Sequence, residues 1–300
     1  MTTTVNRNGF WTAPVWKCID DAVTKAVMAI RVAQKVFYTV QLDASSVPSD
    51  EVDLERMTIE EGLTKPYVEL AVEFSLTNGQ VNSDPTGYTA ITLSGFAAKS
   101  LALAEDMIIL RGKEALQTLP ATVRIESGAE SLKKGILGLV PADRTIAVDL
   151  TDAGSARNSG DKILEAVSQG IALLSTDPKA PQGPPYYLIE DTNTFAATTG
   201  RLINCAPAYH VLKPLLMGGE IYGTGAMPVN TALLYAKNAD PTIIYSGSDA
   251  LTEPTGKTHP GRYAFRTFER VQFVARDPRA FVKFEFKHSS EPAPARKKDS

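Results

Sequence analysis

From Val68 to Leu76 the chain alternates without a break. Val68, Leu70, Val72, Phe74 and Leu76 take one side, and Glu69, Ala71, Glu73 and Ser75 the other. Period two predicts a long strand with one face buried. Turn residues follow at Thr77-Asn-Gly-Gln80 and Ser83-Asp-Pro-Thr-Gly87. From Thr89 to Leu110 there is no proline, and Ile91, Phe96, Ala97, Leu101, Ala104 and Ile108 recur mostly at helical spacing, so a long helix is predicted, ending at Arg111 and Gly112. Thr12 to Phe37 predicts another helix. Its apolar face holds Val15, Ile19, Val23, Ala26, Val27, Ile30 and Ala33, Asp20, Asp21 and Lys25 lie opposite, and Arg31, Gln34 and Lys35 make its end basic.

Tyr38 to Lys65 is polar and weakly alternating, with nothing to form a core of its own, and a stretch of this length is expected to act or bind. Lys113 to Lys134 holds one short strand, Thr122 to Ile125. An amphipathic helix is predicted over Asp161–Leu174, a second helix over Phe195–Ile203, and strands over Tyr186–Glu190, Thr231–Ala236 and Thr242–Tyr245. Strands interleaved with helices indicate a mixed α/β domain. From Gly261 to Phe286 the pattern is strand again, and its phase shifts at Arg276-Asp-Pro278, a turn that changes which face is buried. His288 to Ser300 is rich in proline, serine and lysine and reads as a solvated tail.

Composition adds limits. Within 300 residues there is room for one large domain or two moderate ones, and a net charge of −3 supplies no field for nucleic acid. Cys18 and Cys205 form no disulfide framework, no apolar run approaches membrane-spanning length and no signal-peptide core opens the chain, so a cytoplasmic protein is expected. The residues also lack a catalytic constellation: His210, His259 and His288 are scattered, and no serine sits in Gly-x-Ser-x-Gly. Gly218-Gly-Glu-Ile-Tyr-Gly-Thr-Gly225 has neither phosphate-loop nor dinucleotide spacing and reads as turns between strands. Glu105 and Asp106, late on the long helix, are expected to form salt bridges, and no metal or cofactor is expected.

Several segments in this order resemble the encapsulin shell proteins, related to tailed-phage major capsid proteins. Pro66, Val68, Glu69, Leu70, Phe74 and Leu76 fit the family's strand; Ala102, Glu105, Asp106, Ile109 and Gly112 fit the end of its spine helix. Trp16, Ile19, Asp20 and Ala22 come close to its first helix, and Glu269, Val271, Phe273, Pro278 and Ala280 match its last strands. The resemblance implies an α+β tailed-phage major capsid fold. Its parts would be an N-terminal arm and helix (1–37), an extended loop lying on a neighbouring subunit (38–66), a P-domain strand, spine helix and insertion (67–135), an A-domain (136–260), P-domain strands (261–287) and a tail (288–300). It also implies an icosahedral homo-oligomer, without enzymatic activity, that encloses a cargo enzyme (a peroxidase or ferritin-like protein) through that enzyme's C-terminal peptide. Ile19, Val23, Val27 and Ile30 would line the peptide groove. The flavin-site tryptophan of some members has no counterpart, because Trp11 and Trp16 are both N-terminal. A prophage capsid protein packaging DNA is the alternative, and a protease or bacteriocin-like enzyme a more distant one.

Overall fold

The computed structural model describes residues 7, 10–49, 51–53, 58–60, 62–82, 86–150, 156–177, 182–200, 207–238, 242–259 and 261–287. In chain order they form α1 (Ala13–Ile30), α2 (Ala33–Val36), β1 (Tyr38–Gln41), β2 (Ser46–Pro48), β3 (Glu51–Asp53), β4 (Thr58–Glu60), β5 (Thr64–Pro66), β6 (Val68–Thr77), α3 (Asn78–Asn82) and the long α4 (Tyr88–Arg111). Then come β7 (Val123–Ser127), α5 (Ile136–Leu139), β8 (Thr145–Asp149), α6 (Ala156–Ser175), β9 (Tyr186–Asp191), α7 (Thr192–Thr199), α8 (Ala208–Leu215), β10 (Ile221–Thr224) and β11 (Thr231–Ala236). The chain ends with β12 (Thr242–His259), β13 (Arg262–Ala275) and β14 (Phe281–Lys287). Cys205 and the tail from His288 lie outside the described residues.

Two compact units result. The first comprises Met1–Val140, Thr224–Met227 and Lys237–Ala280, the second Pro141–Gly223, Pro228–Ala236 and Phe281–Ser300. This corrects the boundary expected at residue 260, which would part β12 from β13. The two strands instead form one long antiparallel pair in the first unit, where backbone hydrogen bonds hold them together. The shift of phase at Arg276–Pro278 marks a change of unit: β13 serves the first core, and β14 serves the second.

The first unit is built on a five-stranded sheet in the order β1-β12-β13-β6-β7. The alternation of β6 turns Val68, Leu70, Val72 and Leu76 into the core, while Glu73 is exposed. Helix α4 packs on β6 and β13. From Ala104 to Leu110 every one of its residues is buried, which is why its apolar period is faint in the sequence. Helix α1 lies along α4, where Val23, Ala26 and Val27 meet the small side chains of Ala98 and Ala102. Trp16 and Ile19 pack with Leu76, Ala90 and Phe265.

The stretch expected as an extended loop begins inside the sheet, since β1 pairs in parallel with β12. The arm proper is two-stranded, β2 against β5 and β3 against β4. Val47, fully buried beside Tyr67, Ile243, Tyr245 and Val274, anchors its base. The excursion after α4 closes on itself: Lys113 N–H donates to the Lys133 carbonyl at 2.8 Å, and Gly112 bridges Lys134. Gly112 has φ 59, and a Cβ on it would stand 2.2 Å from the Gly135 nitrogen, so only glycine permits this closure. Between these ends β7 adds the fifth strand alongside β6.

The second unit has its own five-stranded sheet, β10-β9-β11-β14-β8. Leu188, Leu234, Val282 and Phe284 face Ile163, Val167 and Leu174 of α6, with Leu212 of α8 in the same core. The helix expected over Phe195–Ile203 is found as Thr192–Thr199, started by the Asp191 carboxylate accepting the Asn193 amide at 3.0 Å.

Candidate functional site

The predicted helix over Thr12–Phe37 is two helices. At Arg31 the backbone turns extended (φ −57, ψ 128) and α1 ends. The groups beyond the break find their partners on α4. Asp106 accepts the amides of Val32 and Ala33 on its two carboxylate oxygens, at 2.7 and 2.8 Å. The Arg31 side chain turns inward, with Nε 2.5 Å from Glu105 Oε2 and Nη2 donating to Glu269 Oε2 at 2.6 Å. Gln34, on α2, donates to the other Glu105 oxygen at 2.8 Å.

Three carboxylates thus lie around one guanidinium, almost wholly withdrawn from water. Arg31 is 9% exposed, Glu105 and Asp106 are fully buried, and Glu269 is 1% exposed. Glu269 Oε1 has no hydrogen-bond partner among the described residues. Burial raises Asp106 to about 7, helped by the Glu105 charge and opposed by the two amides. Burial raises Glu269 to about 8, with the Glu105 charge adding and Arg31 opposing. Glu105 is raised by burial too, against Arg31. Arg31 itself, though burial works against its charge, is raised by Glu105 and Glu269. Of these carboxyls Glu269, raised to about 8 and with Oε1 unpartnered among the described residues, is the one that most readily keeps a proton near neutral pH.

Beside this cluster lies a hollow of about 330 Å³. Its wall includes Val27, Met28 and Ala250 as apolar surface and Arg31, Lys35 and Asp249 as polar surface. Met28 is 66% exposed. The four expected groove residues are not brought together. Ile19 and Val23 are fully buried in the unit's own core and have no side-chain surface for a ligand. They correct the expectation, because the broad apolar face of α1 is spent on α4 and the sheet. Val27 borders the hollow, and Ile30 is 37% exposed without lining it.

The sequence had marked Glu105 and Asp106 as salt-bridging residues; Glu105 does pair with Arg31, whereas Asp106 accepts two backbone amides instead. It missed Arg31, Glu269 and Met28. Two consecutive acids inside an otherwise apolar helix, and an arginine between Ile30 and Val32, were the only signals. Elsewhere, His210 is exposed against Tyr209. The glycine-rich segment does make a turn into β10, where a Cβ on Gly219 would strike the Tyr186 carbonyl. Among the described residues no group of histidine, cysteine, aspartate or glutamate side chains is placed to hold a metal, and no helix is long and apolar enough to cross a membrane. Trp11 and Trp16 pack against each other, and Trp11 stacks on Phe265, as core aromatics.

No family model matches the chain, and no curated protein matches it by sequence. Solved structures do match. The virus-like particle from Pyrococcus furiosus aligns over 90% of this chain and 99% of its own, at 15% identity and a TM-score of 0.64. An encapsulin complex from Synechococcus elongatus aligns over 84% of this chain and 85% of its own, at 7% identity and a TM-score of 0.55. The capsid of an empty GTA particle aligns over 85% and 89%, at 13% identity and a TM-score of 0.55. The long spine helix, the two-stranded arm and the two separate sheets are therefore the tailed-phage capsid fold, the one that encapsulin shells share.

Proposed function

We propose that this protein is the shell subunit of an icosahedral compartment in the cytoplasm that encloses a cargo enzyme, and that the hollow at the end of α1 receives that enzyme's C-terminal peptide. The observation that carries the reading is the pairing of a capsid fold with an N-terminal helix laid on the spine and ending beside an open, partly apolar hollow. Val27, Met28 and Ala250 offer a peptide aliphatic contacts, and Lys35 and Asp249 offer it charge. One such site binds weakly, about 1.5–3 kcal/mol for each buried aliphatic side chain, but many copies in a closed shell hold cargo by effective concentration. The net charge of −3 speaks against a lining built for DNA. The arm, anchored at its base by Val47, is suited to a neighbouring subunit, which makes stability inseparable from assembly.

Electron microscopy and nuclease digestion of purified particles test the reading. Closed particles filled with protein and carrying no nuclease-protected DNA are expected. Particles filled with DNA would establish a phage-type capsid protein, and a stable monomer at micromolar concentration would end the shell reading. Met28→Asp is expected to give empty shells of normal size.

A further inference from the structure

The hollow exists because the chain breaks at Arg31, and nothing local requires that break. From Val15 to Phe37 there is no glycine and no proline, and alanine, lysine, glutamine and arginine flank the site. A continuous helix would bond the Val32 and Ala33 amides to the carbonyls of Met28 and Ala29, four residues back, and carry Gln34 and Lys35 on around the same cylinder. Instead both amides go to Asp106, at 2.7 and 2.8 Å. The preceding residue on α4, Glu105, engages the Arg31 side chain and Gln34. Two adjacent acids thus grip the backbone and the side chains of the break, and the residues they fix, Arg31 and Gln34, line the hollow.

We propose that Asp106 is the positioning residue of the hollow: by capping the two amides beyond α1 it forces the break and keeps the site open. The peptide as occupant rests on the function proposed above; the break does not. Asparagine at this position would keep one acceptor oxygen and set a second donor against an amide, so one of the two bonds is lost.

The test uses purified assembled protein and 8-anilinonaphthalene-1-sulfonate, whose rings suit Val27 and Met28 and whose sulfonate suits Lys35. Asp106→Asn is expected to weaken dye binding about tenfold at unchanged particle size, the loss of one charge-assisted hydrogen bond. Electron microscopy of the same particles is expected to show α1 continuing past Arg31, which a merely destabilising loss of Asp106 would not produce. Undiminished dye binding in Asp106→Asn, or a break kept at Arg31 in its map, overturns the inference. If Asp106→Asn does not assemble, hydrogen exchange of the unaltered particle decides: Val32 and Ala33 amides that exchange as fast as unbonded ones overturn it equally. An Asp106→Asn shell that loses the dye yet retains its cargo supports the positioning role and refutes the peptide reading of the hollow.

Discussion

Removing Arg31 should be among the most damaging single changes to the first unit, and the damage should be reversible by removing charge. Among the described residues the guanidinium is the cation that faces Glu105, Asp106 and Glu269, and it contacts Glu105 and Glu269 at 2.5 and 2.6 Å. Each charge-assisted contact contributes about 1.5–3 kcal/mol, and breaking a buried pair from one side costs about 3–5 kcal/mol. Arg31→Met, similar in length and able to fill the space, should therefore cost about 3–5 kcal/mol, a large share of the roughly 5–15 kcal/mol that a domain commands. Glu269→Gln should cost under about 1 kcal/mol, because a protonated carboxyl and an amide differ little there. Arg31→Met with Glu105→Gln and Glu269→Gln should recover most of the loss, since neutral groups of similar shape remain. Thermal unfolding of assembled particles at one fixed concentration, followed by circular dichroism and light scattering, supplies the comparison. A loss under about 1 kcal/mol for Arg31→Met, or no recovery in the triple variant, would refute the charge argument. Glu269→Gln as costly as Arg31→Met would show that Glu269 is ionised.

The second unit should weaken as pH rises. Burial raises Glu190 to about 8, with Thr198 donating to one oxygen at 2.9 Å and the other without a partner among the described residues, so its stabilising effect is present below the ordinary glutamate range and lost as pH rises through about 8. Glu190→Gln should flatten the fall in melting temperature between about pH 5 and 8, the span from the ordinary glutamate value of 4.5 up to about 8, and an equal fall in the variant would assign it to another group. Gly95 sits inside α4 with no atom within 4 Å of an added Cβ, so Gly95→Ala should stabilise the subunit by up to about 1 kcal/mol; folded subunits that no longer assemble would show that this face meets a neighbour. In α6, a Cβ on Gly170 would stand 2.8 Å from Phe284, so Gly170→Val should destabilise by about 1–3 kcal/mol in denaturant unfolding, and a neutral result would show that the α6 packing yields.

What the sequence determined by itself was what depends on near neighbours in the chain. The alternation of β6, the helical spacing of α1, α4 and α6 and the phase shift at Pro278 are local patterns, and the structure places an element or a boundary at each, whereas the turn expected at Thr77–Gln80 is the short helix α3 and residues 83–85 lie outside the described residues. The capsid fold entered through the resemblance that these segments, in this order, bear to the encapsulin family. Tertiary structure decided the rest. Strand β1 is four residues long and β8 five, and both exist because distant strands, β12 and β14, offer an edge to pair with. The apolar face of α1 looked wide enough to leave a groove, but the pattern cannot tell surface covered by α4 from surface left open, and Ile19 and Val23 went to the core. The break at Arg31 carries no local signal at all. It arises because a carboxylate 74 residues away from Val32 in the chain outbids the helix for two amides, an exchange that only packing α1 against α4 makes possible.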